Sequence, residues 1–141
     1  MRQTIIPFVL LALASCLVGC GGDTGRASVS GTVTLDGEPV KNGAITLVAL
    51  TADEGTTGAN IVDGYYRIRK TQGPVAGRFR VEIRWPKPTG KKIPVMDGFP
   101  DSGMRDELAE AIPATYNKAS VLEIEIQNGK NQQDFELTTS E

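Results

Sequence analysis

A chain of 141 residues, 40% apolar and 23% charged, has room for one globular domain and argues against a second. Fifteen Lys and Arg against seventeen Asp and Glu leave a net charge of −2, which supplies no general attraction to nucleic acid or to an anionic lipid surface. With no histidine the chain lacks the commonest general base and metal ligand, so no cofactor, no resident metal and no enzyme activity are expected.

Met1 and Arg2 form a short basic start, and residues 5–18 are an apolar run interrupted by Pro7 and Ser15, the layout of a secretory signal sequence. A spanning helix needs about 20 apolar residues. Behind this run stand Gly21, Gly22 and Asp23 instead of a basic stop-transfer cluster. Leu17-Val18-Gly19-Cys20 resembles a bacterial lipobox. That resemblance implies that residues 1–19 are a lipoprotein signal peptide and that Cys20 becomes an acylated N-terminus. The implied place is extracytoplasmic, on a bacterial membrane held through lipid, facing the periplasm or the cell surface. Two or three acyl chains anchor stably where one binds only marginally. An ordinary signal peptide with a fortuitous Cys20 is the alternative. Cys16 falls inside the apolar run, so with Cys20 acylated no thiol remains for a disulfide, a metal or a nucleophile. Residues 20–27 then make the lipidated cysteine and a flexible tether of small and polar residues, and residues 28–139 the folded domain.

From Val29 onward apolar and polar residues alternate. Val29, Gly31, Val33 and Leu35 fall on one face and Ser30, Thr32 and Thr34 on the other, which predicts a half-buried strand. Asp36-Gly37 marks a turn, and Pro39 with Asn42-Gly43 a second, ahead of an apolar strand over 44–50. A polar loop over 51–58 follows. Two short extended pieces, 60–62 and 65–68, flank Asp63-Gly64, with Tyr66 and Ile68 directed inward. The clearest strand is 78–85, where Phe79, Val81, Ile83 and Trp85 alternate with Arg78, Arg80, Glu82 and Arg84. After a long connection come 121–126 and then Phe135 and Leu137, and the Asn128-Gly129 between them is the strongest hairpin signal in the chain. Short strands at roughly ten-residue spacing, with little helical period, predict an all-β antiparallel sandwich.

At this point the residues carry a family resemblance. Val29-Ser30-Gly31-Thr32-Val33 with Gly37, the Asp63-Gly64-Tyr65-Tyr66-Arg67-Ile68 stretch, and Gly77-Arg78-Phe79-Arg80-Val81 resemble the carboxypeptidase regulatory-like, transthyretin-like domain. Ile112-Pro113-Ala114-Thr115-Tyr116-Asn117 followed by 122–137 is similar to small lipoproteins of that type common in Planctomycetes. The resemblance spans about residues 29–137. It implies a seven-stranded Greek-key sandwich that lacks catalysis and acts as a folding, adhesion or ligand-binding accessory. Hydroxyisourate hydrolases of this fold rely on histidines and a Tyr-Arg-Gly-Ser ending. This chain has no histidine and ends Leu137-Thr138-Thr139-Ser140-Glu141.

Candidate binding residues are few. Trp85 is either a core residue or a platform for stacking on a sugar ring. Arg78, Arg80 and Arg84 line one strand face and either meet an anionic glycan or headgroup, or pair with carboxylates such as Glu123 and Glu125 on a neighbouring strand. The 86–112 connection carries Lys87, Lys91 and Lys92, then Asp97, Asp101, Asp106, Glu107 and Glu110. It reads as an irregular loop in which Ser102 caps a short helix with Met104, Leu108 and Ala111 on one face. Asp97, Asp101 and Asp106 have oxygen chemistry suited to calcium, but their spacing fits no EF-hand. Tyr116 is expected to donate its hydroxyl to a backbone carbonyl, as in a tyrosine corner. Two functional classes follow: a noncatalytic structural or protein-interaction module of the envelope, with an envelope protein as partner, or a glycan- or small-ligand-binding module using Trp85 and the 86–112 loop.

Overall fold

The computed structural model describes residues 25–51 and 55–140. The expected signal peptide, Cys16, Cys20 and most of the tether lie outside the described residues. Two Asp-Gly dipeptides start the fold. Asp36 and Gly37 have φ of 50° and 80°, and Asp63 and Gly64 have 49° and 81°. Two consecutive left-handed residues make the type I′ turn whose twist suits a tight hairpin. The first joins β1 (Ser28–Leu35) to β2 (Glu38–Pro39), and the second joins β4 (Thr56–Val62) to β5 (Tyr65–Ile68). Asn42-Gly43 does not turn the chain as expected but opens β3 (Asn42–Ala49), opposite Val62 and Ile61. A Cβ on Gly43 would meet the Arg84 carbonyl oxygen at 2.5 Å, so this glycine permits close packing. On β6 (Gly77–Arg84) the expected inward residues Phe79, Val81 and Ile83 are buried, as is Trp85 beyond it.

After a ribbon described below, β9 (Glu123–Ile126), β10 (Lys130–Gln132) and β11 (Phe135–Leu137) complete the main sheet, whose path is β10-β1-β5-β4-β3-β6-β9. All pairings along it are antiparallel except those of β1 with β10 and β11, which are parallel. Seven strands laid flat would hold the two edges roughly 29 Å apart, at about 4.8 Å per spacing. Ile126 ends β9 and Lys130 begins β10, and the few residues between them span at most about 14 Å. The sheet must therefore curl until its edges face each other, and its inner side closes around Val33, Leu47, Ile61, Tyr66, Phe79 and Ile126.

This closure corrects the expectation at Asn128-Gly129. Gly129 is left-handed, with φ of 94°, yet β9 pairs with β6 and β10 pairs with β1. The turn crosses the seam of the curled sheet and makes no hairpin. Asn131 secures it: its Oδ1 accepts from the Gln127 N–H at 2.9 Å and its Nδ2 donates to the Gln127 carbonyl at 2.8 Å. A second correction concerns tyrosine. The phenol that donates to a backbone carbonyl is Tyr66, to Gln133 at 2.8 Å, while Tyr116 lies half-buried against the core. Burial pushes the Tyr66 hydroxyl well above its usual pKa, with the nearby Asp134 charge adding to the shift, so it stays a donor.

The last strand breaks over Gly31. β10 pairs with Ser28–Ser30 and β11 with Val33–Leu35, and between them the chain rides so close that a Cβ on Gly31 would lie 1.8 Å from the Gln133 oxygen. Asp134 locks this crossing by accepting from the Thr32 N–H at 2.7 Å and its hydroxyl at 3.0 Å.

Candidate functional site

Between β6 and β9 the chain leaves the sheet. β7 (Pro86–Met96) and β8 (Phe99–Glu110) pair only with each other, as a two-stranded antiparallel ribbon. Eleven residues of strand reach about 35 Å. This replaces the expected irregular loop and short helix: Ser102 caps no helix but accepts a hydrogen bond from the Met96 N–H at 3.0 Å. Asp97-Gly98 is the hairpin turn, with Met96 opposite Phe99 and Gly98 at φ 79°. Register shifts between Pro88 and Lys92 and between Pro94 and Met96 break the side-chain alternation that would have announced two strands.

The ribbon is fixed at its base. Glu110 Oε1 accepts from the backbone N–H of Trp85 at 2.8 Å and from that of Ile112 at 3.0 Å. Ala111 N–H donates to the Trp85 carbonyl, and Lys87 Nζ both pairs with Glu38 at 2.9 Å and sits 3.8 Å from the centre of the Trp85 ring. Glu38 pairs with Leu35, the far end of β1, whereas the chain enters at Ser28. The ribbon thus stands on the end of the domain opposite the one the N-terminal segment enters.

Away from its base the ribbon is open, with apolar side chains exposed among its charges. Val95, Met96, Phe99, Met104 and Leu108 are between 50% and 62% exposed, most of the large apolar residues found in that state among the described residues. Isolated hairpins are marginal in water, and exposed apolar patches on a rigid frame mark interaction surfaces.

The other candidates fall differently. Trp85 is 3% exposed and capped by Lys87, so its ring offers no open face to a sugar and works as core. Arg78 pairs with Glu123 at 2.5 Å and Arg80 with Glu82 at 2.9 Å, while Arg84 is exposed beside Glu110 and Lys118 in a hollow of about 280 Å³. The carboxylates weighed as a calcium cage spread along the ribbon: Asp97 in the turn, Asp101 on β8, and Asp106 paired with Lys92 at 2.7 Å. Among the described residues no three acidic or cysteine side chains approach closely enough to hold a metal ion.

One feature was hidden from composition. Ser28 of β1 lies opposite Lys130 on one side, with Arg67 of β5 and Arg69 just beyond its end on the other. With Lys70 these cations line a hollow of about 470 Å³ at the end where the chain enters. A net charge near zero conceals such local accumulation. Comparison with protein-family models, characterised proteins and solved structures finds no match.

Proposed function

We propose that this chain is a noncatalytic, lipid-anchored β-domain of the bacterial cell envelope, of the carboxypeptidase regulatory-like, transthyretin-like type, that serves as a protein-interaction module. The observation that carries the reading is the projecting ribbon, fixed at its base and exposing Val95, Met96, Phe99, Met104 and Leu108, on the end opposite chain entry. A tether from Cys20 enters at Ser28, so the ribbon is held away from the membrane and toward an envelope partner. The cations around Ser28 support the same orientation, because each Lys or Arg near an anionic lipid surface contributes about 1 kcal/mol. The curled, mostly antiparallel sheet supports the β-domain part of this reading.

The test is site-specific photo-crosslinking in cells that process the protein. A photoreactive residue at Phe99 or Leu108 should give discrete protein adducts, and one at Thr34 or Arg78 on the sheet should not. Labelled fatty acid should enter the wild type and not Cys20→Ser. Adducts distributed evenly over ribbon and sheet, or labelling of the Cys20→Ser variant, would overturn the reading.

A further inference from the structure

The two edges of the ribbon are chemically unequal. Trp85 and Ala111 share the first register of the ribbon and are joined by a backbone hydrogen bond, so alternate pairs from there bond inward; the register shift between Pro88 and Lys92 puts its two extra residues on β7, and the alternation along β8 runs through it. Lys87 with Ala109 and Ile93 with Arg105 are inward pairs. Pro86, Pro88 and Pro94 fall on the outward positions of β7, where their missing N–H groups close that edge to another strand. On β8 the outward positions are Met104, Asp106 and Leu108, each with an N–H and a carbonyl facing away from β7. No strand among the described residues covers them.

We infer that β8 pairs antiparallel with β8 of a second copy of this chain, about a two-fold axis through Asp106. This rests on the ribbon being an interaction surface and names its partner. A two-fold axis perpendicular to a continuous sheet pairs only residues of one face, so the register moves in steps of two. Centred on Asp106, Met104 meets Leu108 of the partner subunit twice and Arg105 meets the partner's Glu107 twice. The central Asp106 carboxylates face each other, each already paired with its own Lys92 at 2.7 Å. Centred instead on Arg105, like guanidiniums meet and Asp106 lies against Met104. Centred on Glu107, like carboxylates meet and Asp106 lies against Leu108. Of the three registers only this one sets Met104 against Leu108 and Arg105 against Glu107, and its one like-charge contact, Asp106 with Asp106, is offset by the two Lys92 partners. It forms about six main-chain hydrogen bonds and turns a marginal two-stranded ribbon into a four-stranded sheet.

The test uses the full-length, processed protein carrying Asp106→Cys, with wild type as the thiol control. At the two-fold, hydrogen-bonded position the Cα atoms lie about 5.5 Å apart, within disulfide range. Mild oxidation should link Asp106→Cys into dimers and should not link Lys92→Cys on the proline-blocked edge. Adding Arg105→Glu should lower the dimer yield several-fold, and further adding Glu107→Arg should restore it. Equal linking at both edges, or indifference to the charge swap, overturns the pairing. Absence of Asp106→Cys dimers alongside ribbon photo-adducts to a different protein overturns it too, while leaving the interaction reading in place.

Discussion

Gly31→Ala is the sharpest probe of how the domain closes. Gly31 is not left-handed, so the substitution carries no backbone strain of its own and acts through space alone. The new Cβ would sit 1.8 Å from the Gln133 oxygen and 2.6 Å from its carbonyl carbon. Any contact under 3.0 Å forces movement, so β1 and the 133–134 crossing must part by more than an ångström. Three hydrogen bonds span that gap, Gln133 N–H to Ser30 and the two from Thr32 to Asp134, and a fourth, from the Tyr66 hydroxyl of β5, holds the same Gln133 carbonyl. At about 1 kcal/mol net each, their loss costs about 4 kcal/mol, a large part of the 5–15 kcal/mol that holds a typical domain. Urea melts should show the midpoint falling accordingly, and the Thr32 amide should lose its hydrogen-exchange protection. Ser30→Ala, on the outer face of the same strand, should change stability by less than about 1 kcal/mol. A Gly31→Ala protein within about 1 kcal/mol of wild type, with Thr32 still protected, would refute the close crossing.

Val81→Asp places a carboxylate at a fully buried position and should cost several kcal/mol, whereas Arg80→Ser, which removes a partly exposed ion pair, should be mild; thermal melts in the reverse order would mean the faces of β6 are inverted. Asp36 and Asp134 are held below the usual carboxylate pKa by hydrogen bonds from Thr139 and from Thr32 respectively. Their folded values are depressed, so their contribution is present above the ordinary value of 3.8 and is lost as pH falls through the lower folded value. Asp36→Asn with Asp134→Asn should therefore flatten the acid limb of stability against pH, measured by urea melts between pH 2 and 5, and an unchanged limb would contradict the shifts.

The sheet was legible in sequence wherever two signals coincided. Alternation over 78–85 fixed which side of β6 is buried, and Asp36-Gly37 and Asp63-Gly64 located two hairpins because each sits between alternating segments. Asp97-Gly98 is the same dipeptide and also turns a hairpin, but its flanks are interrupted by Pro88, Pro94, Gly90 and Gly103, and both strands carry register shifts. No period of two survives where the ribbon bulges, so the sequence pattern there is that of a loop. Asn128-Gly129 failed in the opposite sense: the turn forms, but the partners of β9 and β10 are chosen by closure of the whole sheet, which no local pattern encodes. The cation hollow needed the register as well, since Arg67 and Arg69 lie more than sixty residues from Lys130 in sequence and share a site only across β1.

The pairing of β1 with β10 and β11 also sets when this domain can exist at all. The first strand of the domain takes its outer partners from residues 130–139, with Thr32 bonded to Asp134 and Asp36 to Thr139 across separations of 102 and 103 residues. A nascent chain lacking residues 130–139 leaves one edge of β1 bare and the Tyr66 hydroxyl without its Gln133 carbonyl. Such contacts give a high contact order, which places folding late and slow, in the range of milliseconds to seconds. Until residues 130–139 are in place β1 stays bare along that edge and the curled sheet cannot close.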